Sequence, residues 1–191
     1  MKTINIENID EIVKTLNENK IIAIPTDTIY GFSCLASSDE AVKKLYALKQ
    51  RDEQKACIIL VSEDIKIEDF VKEENIADFI KANSPAPLTM IIEKGEYFNL
   101  ASTFTLPTIA IRIPKDEFLQ KILKRVGYMI STSCNIQGEP SLNDYNLIKE
   151  TFPDLDAIVE KEANTLAKSS TIVDLTVSPY KVIRQGDYVL K

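Results

Sequence analysis

The chain has 191 residues, 45% of them apolar, with 23 basic and 29 acidic side chains and a formal charge of -6. That length suits one domain, residues 1–191, with a sizeable core. The acidic balance argues against non-specific nucleic-acid binding, which draws most of its affinity from phosphate attraction. Histidine is absent, which removes the commonest general base and the commonest metal ligand. Cys34, Cys57 and Cys134 are odd in number and widely spaced. They read as reduced thiols rather than a disulfide framework or a zinc site. No apolar run reaches the roughly 18 residues of a membrane helix. The polar, acidic start, Met1–Ile12, does not read as a signal peptide. A cytoplasmic location is therefore expected.

In chain order, Asn8–Leu16 is expected to be a helix. Asn8 can cap it, Glu11 holds the capping-box position, and Ile9, Ile12, Val13 and Leu16 form one face. Ile21–Pro25 reads as a buried strand. It runs into Pro25-Thr26-Asp27-Thr28-Ile29-Tyr30-Gly31, the kind of polar turn where α/β proteins place ligand chemistry. Ser37 or Ser38 caps the next helix, whose stripe is Ala41, Val42, Leu45 and Leu48. Lys49-Gln50-Arg51 closes that helix. Lys43, Lys44, Lys49, Arg51 and Lys55 then set five basic residues against two acidic ones over 43–55. Such a cluster in an acidic chain suits a small anionic ligand. Arg grips carboxylate or phosphate by a fork and Lys acts as a point charge. The same charges would also complement the helix dipole.

Ala56–Ser62 is a continuous apolar run, expected to be a strand buried on both faces. Glu68–Ala82 reads as one or two helices, broken by Ser84-Pro85-Ala86-Pro87. Leu88–Glu93 and Thr108–Ile113 are expected strands. Arg112 interrupts the second, either facing solvent by alternation or paired at a site. Asp116–Val126 is expected to be helical, with Phe118, Leu119, Ile122 and Leu123 inward. The strand Tyr128–Thr132 runs into Ser133-Cys134-Asn135. Its hydroxyls and amide either hydrogen-bond a ligand without charge or form a polar turn. No histidine could activate a serine there, which leaves a lysine as the conceivable base. A short helix, Asn143–Glu150, and strands at Ala157–Glu160, Ser170–Leu175 and Lys181–Gln185 close the chain. Arg184 lies just before Gly186, and Ser169-Ser170-Thr171 opens a strand. The mixture predicts an α/β domain with a twisted mixed sheet and flanking helices. Neither a P-loop nor a G-x-G-x-x-G motif occurs. The residues alone point to a site for an anionic small molecule, lined by hydroxyls, Lys and Arg.

Taken together, these stretches resemble the Sua5/YciO/YrdC family, the threonylcarbamoyl-AMP synthases of tRNA modification. Pro25–Gly31 resembles its P-T-[DE]-T-x-Y-G element, Lys49-Gln50-Arg51 its K-x-R, and Pro85-Ala86-Pro87-Leu88-Thr89 its P-G-P-x-T turn. Ile109–Pro114 is similar to V-A-V-R-x-P. Ser133-Cys134-Asn135, with Gly138 and Pro140, is similar to S-x-N-x-S-G-x-P. Ser170–Asp174 is similar to S-T-[IV]-V-D, and Arg184 with Gly186 to R-x-G. The series runs in order over residues 25–186.

The resemblance implies a YrdC-like fold with one concave cleft and a nucleotidyltransferase reaction. L-threonine, bicarbonate and ATP would give threonylcarbamoyl-AMP and pyrophosphate. A transferase complex would pass the group to adenosine 37 of tRNA. The resemblance assigns Lys49, Arg51, Ser133 and Asn135 to catalysis. It gives Thr28, Arg112, Ser133 and Ser170 to threonine, and Arg51, Lys55, Thr108, Asn135, Asn143 and Arg184 to ATP. ATP would be a substrate that carries its own Mg²⁺, with no metal site in the protein. The alternative is a catalytically altered paralogue acting as an RNA-binding, translation-associated module. The chain departs from the pattern at Asp52–Cys57, which lacks both prolines of the family and sets acids beside Arg51. It departs again at Ala86, in place of glycine, at Cys134, in place of alanine, and at Glu162–Ser169, which has no glycine.

Overall fold

The computed structural model describes residues 1–52, 55–71, 73–95, 100–102, 105–162 and 166–191, and of residue 69 only the backbone. Among them are ten strands: β1 (Lys2–Asn5), β2 (Ile22–Ile24), β3 (Gly31–Leu35), β4 (Ile58–Leu60), β5 (Leu88–Glu93), β6 (Thr108–Arg112), β7 (Met129–Ser133), β8 (Ala157–Glu160), β9 (Thr171–Asp174) and β10 (Lys181–Arg184). Five helices accompany them: α1 (Ile9–Asn17), α2 (Asp39–Leu48), α3 (Glu74–Asn83), α4 (Glu117–Val126) and α5 (Tyr145–Thr151). The strands form one sheet in the order β1-β8-β2-β3-β7-β4-β6-β5-β9-β10. Parallel pairs (β1/β8, β2/β8, β4/β6, β5/β9) mix with antiparallel ones such as β3/β7 and β5/β6.

The helices start where the sequence places their caps. Asn8, Ser38 and Asp116 each accept a hydrogen bond from a first-turn amide, at Glu11, Ala41 and Leu119. Each satisfies a donor the helix itself cannot. α1 and α4 lie on one face of the sheet. Ile12, Val13 and Leu16 from α1, with Leu119, Ile122 and Leu123 from α4, pack onto Ile4, Ile22, Leu60, Met129 and Val159. Each such side chain taken out of water contributes about 1.5–3 kcal/mol. The opposite face carries α2, α3 and α5 through Val42, Leu45, Ile80 and Ile148, around Phe32, Ile59 and Ile130.

Strand alternation turns this arrangement into a site. Along β7, Met129 lies beneath α1 and α4, while Ile130 belongs to the opposite core. Ser131 and Ser133 share the Met129 face by the two-residue period. They line a cavity instead of a helix contact. The same happens on β4, where Leu60 is under the helices and Ile58 lines the cavity. Thr89 and Ile91 of β5, with Ala110 and Arg112 of β6, extend this bare stretch. The expected concave cleft is thus the part of one sheet face that two short helices leave uncovered.

Two strands were not expected from sequence. β1 alternates poorly, with only Ile4 buried. β3 begins at the glycine that closes the polar turn and holds the buried Ser33. The segment expected to hold one or two helices, Glu68–Ala82, holds a single 3₁₀ turn at Ile67–Asp69 and then α3. Residue 72 of that segment lies outside the described residues.

Candidate functional site

The cavity measures about 370 Å³, at the lower end of small-molecule sites. It opens at the turn that follows β2. The Thr26 hydroxyl donates to the Ile29 carbonyl at 2.7 Å and accepts from the Thr28 amide at 3.0 Å. The two threonine hydroxyls are 2.9 Å apart. Since the Thr26 proton is already placed, Thr28 donates across that gap. Thr28 Oγ1 then accepts from Arg112 Nη1 at 3.0 Å. Tyr30 anchors the far end of the turn. Its hydroxyl reaches the Val159 and Lys161 carbonyls, and its amide donates to Asn143 Oδ1 at 2.9 Å. At Gly31, β3 passes close to the Ser131 side chain of β7. A Cβ there would sit 2.3 Å from Ser131 Oγ.

Arg112 is 4% exposed. Its Nη2 pairs with Asp27 Oδ1, while Asp27 Oδ2 accepts the Lys115 amide. Desolvation holds the guanidinium below its ordinary pKa, and Asp27 opposes that shift. The pair is buried on both sides, so each partner depends on the other for compensation. Arg112 Nε is buried without a partner in the structure.

Lys49 is the C-cap of α2. The residue after it, Gln50, takes the left-handed φ of +49°. That reversal sends Lys49 inward and Arg51 to the cavity wall. The Lys49 ammonium donates to the Ser133 carbonyl, the Asn135 carbonyl and Asn135 Oδ1 at 2.5, 2.8 and 2.9 Å. It lies 5.8 Å from the centre of the Phe32 ring. Burial pulls its pKa down to about 8. Arg51 spans its own loop, donating from Nε to the Lys55 carbonyl and from Nη2 to the Ala56 carbonyl. On the far wall, Arg184 Nε and Nη2 both reach the Ser170 carbonyl, and Ser170 Oγ meets Thr89 Oγ1 at 2.8 Å. Gly186 allows this contact. A Cβ there would lie 2.4 Å from the Ser169 carbonyl. Desolvation and then the Arg112 charge hold Arg184 below its usual pKa.

Of the residues assigned from sequence, the structure brings Thr28, Arg51, Thr108, Arg112, Ser133, Ser170 and Arg184 onto one cavity wall. It does not bring Lys49, Lys55, Asn135 or Asn143 onto that wall. Lys49 and Asn135 face the turn behind Ser133, Asn143 holds the Tyr30 amide, and Lys55 is exposed. Asp27, Ser131 and Thr89 were not assigned. Ser131 was within reach of sequence reasoning, because it shares a face with Ser133. Residues 53–54 of the altered loop and 163–165 of the glycine-free segment lie outside the described residues. The three cysteines are free and buried, and burial raises each thiol pKa. Among the described residues, no group of three or more His, Cys, Asp or Glu could hold a metal ion. A second cavity, about 640 Å³, lies between α3 and the β9–β10 connection, around Phe70, Phe79 and Tyr180. It contains none of the assigned residues.

The sequence profile of the Sua5/YciO/YrdC family, described as telomere recombination, matches residues 14–186. The chain belongs to this family. It is 30% identical over 180 residues to a threonylcarbamoyl-AMP synthase of Pyrococcus abyssi (strain GE5 / Orsay), covering 92% of this chain and 53% of that one. It is 28% identical over 186 residues to a threonylcarbamoyl-AMP synthase of Vibrio campbellii, covering 94% of this chain and all of that one. The chain therefore spans about half the length of the Pyrococcus relative. The solved structure of P. abyssi Sua5 complexed with L-threonine superposes with a TM-score of 0.83 at 27% identity, covering 96% of this chain and 56% of that one.

Proposed function

We propose that this chain is a threonylcarbamoyl-AMP synthase. The observation that carries the reading is the charge of the cavity wall: three arginines, several hydroxyls and, among the described residues, no carboxylate. Only Arg112 of the three has an acidic partner among the described residues. Such a wall suits the carboxylate, carbamate and phosphate groups of one ligand set. The threonine amine attacks bicarbonate, and water leaves to give a carbamate. A carbamate oxygen then attacks the α-phosphorus of ATP, the α–β bridging bond breaks, and pyrophosphate departs. Nucleophile and electrophile both carry negative charge, so the barrier is repulsion and positioning. Fixed cations and a shared pocket lower both.

In this reading Arg112, held by Asp27, receives the threonine carboxylate, and Thr28, Ser133 and Ser170 line the rest of the threonine site. Arg51 and Arg184 receive phosphate oxygens. A cavity of about 370 Å³ holds the reacting centre, and the nucleoside projects beyond it. Mg²⁺ comes with the nucleotide, held by phosphate oxygens and water, and neutralises phosphate charge. The product feeds tRNA modification through a transferase complex in the cytoplasm. Among the described residues, no helix is long and apolar enough to cross a membrane.

The test is pyrophosphate release by the purified protein with ATP and Mg²⁺. Release should need both threonine and bicarbonate. No release with all substrates present, or release indifferent to threonine, would overturn the reading.

A further inference from the structure

We propose that Lys49 is a positioning residue that turns Ser133 into a hydrogen-bond acceptor aimed at the substrate amine. The proposal rests on the function above and departs from the sequence expectation that Lys49 works on the anions with Arg51.

A lysine ammonium has three N–H groups and no acceptor. In Lys49 all three are used, on Ser133 O, Asn135 O and Asn135 Oδ1, and the residue is 1% exposed. None is left for a phosphate. The Lys49 backbone joins in, since its carbonyl accepts the Gln137 amide at 2.9 Å. Lys49 therefore clasps the 133–137 turn from both its main chain and its side chain.

Asn135 is used up as well. A donor-only ammonium at its side chain fixes the oxygen on that side, which excludes the flipped amide. The same Oδ1 lies 2.6 Å from Ser133 Oγ, and Nδ2 donates to the Ile136 and Glu139 carbonyls at 3.0 and 2.7 Å. With Asn135 Oδ1 an acceptor, the Ser133 hydroxyl must be the donor of that contact. Its single proton points away from the cavity that Ser133 lines. What Ser133 offers inward is lone pairs. Lone pairs repel phosphate and carboxylate oxygens and attract an N–H. The N–H donor among the three substrates' reacting parts is the threonine nitrogen, as amine and as carbamate.

The experiment compares wild type, Lys49→Met, Asn135→Ala, Ser133→Ala and the Lys49→Met/Ser133→Ala double variant. Titration calorimetry with L-threonine and, separately, with ATP needs no turnover. Lys49→Met and Ser133→Ala are each expected to weaken threonine about ten- to hundredfold, the range for a hydrogen bond to a charged group. ATP affinity should stay within about threefold. The double variant should be no worse than the worse single variant, because residues acting as one unit are not additive. Weaker ATP binding in Lys49→Met with threonine unchanged would overturn the proposal, as would multiplied losses in the double variant. Should Lys49→Met fail to fold, Asn135→Ala carries the test. It breaks the link to Ser133 and leaves Lys49 its two carbonyls, and it should show the same threonine-selective loss. If wild type binds neither ligand, the proposed function fails. The clasp is then read from hydrogen exchange over residues 133–139. Exchange should rise at least tenfold in Asn135→Ala and Lys49→Met but not in Ser133→Ala, and unchanged exchange would overturn it.

Discussion

One sheet face contains two regions made from the same strands. Under α1 and α4, Leu60, Met129 and Val159 are sealed by apolar side chains and need no polar partner. Two or four residues along β4 and β7, Ile58, Ser131 and Ser133 form the open half, with Arg112 of the neighbouring β6. The covered half is held by buried area, which is non-directional and tolerates some change in shape. The open half is held by matched donors and acceptors, and by one buried ion pair. What a substitution costs there depends on what it leaves unmatched.

Four substitutions or titrations test that contrast. Asp27→Asn should have the largest effect, since it strands a buried guanidinium. A loss of about 3–5 kcal/mol is expected, read from the urea midpoint, and a loss under about 1 kcal/mol would erase the distinction between the halves. Ile122→Ala cuts the covered half and should cost about 2–5 kcal/mol. Pyrophosphate release per folded molecule should not change, and a slower rate would mean the helices shape the site. Arg51→Ala should act the other way. We expect about a hundredfold slower release with thermal stability largely kept, because Arg51 donates to two carbonyls of its own loop. A large drop in melting temperature would make Arg51 structural.

The smallest effect concerns pH. Lys49 has a folded pKa of about 8, against an ordinary 10.5. Between those values the unfolded chain holds a proton that the folded one releases, so stability rises with pH. The contribution is fully present above about 10.5 and is lost as pH falls through about 8. The stability of wild type relative to Lys49→Met should therefore increase from pH 7.5 to pH 10. A constant difference would mean that the three acceptors fully offset burial.

Much of this could be read before the fold was known. α1, α2 and α4 announce themselves by period and cap, because both signals lie within a few residues of each other. Strand existence was readable for most of the sheet, but several strand ends moved by one or two residues where neighbouring strands set them. β3 was hidden because Gly31 reads as the end of a turn, and its role as a close approach to Ser131 is visible only across the sheet. The cations of the site were legible as residue types. Their orientation was not. Lys49 meets its acceptors 84 and 86 residues away, and Arg112 meets Asp27 85 residues away. No local pattern records that one cation faces a turn while another faces a cavity.

The half-covered face also bears on how firmly β3 and β7 are paired. Gly31 stands opposite Ser133, and Leu35 opposite Met129. A slip of one residue would exchange the two sides of β7. It would sink Ser131 and Ser133 into the core around Phe32 and bring Ile130 into the cavity. The hydroxyls that shape the cavity are thus a penalty against a one-residue slip, and the polar residues of the site help to hold the strand alignment that builds it.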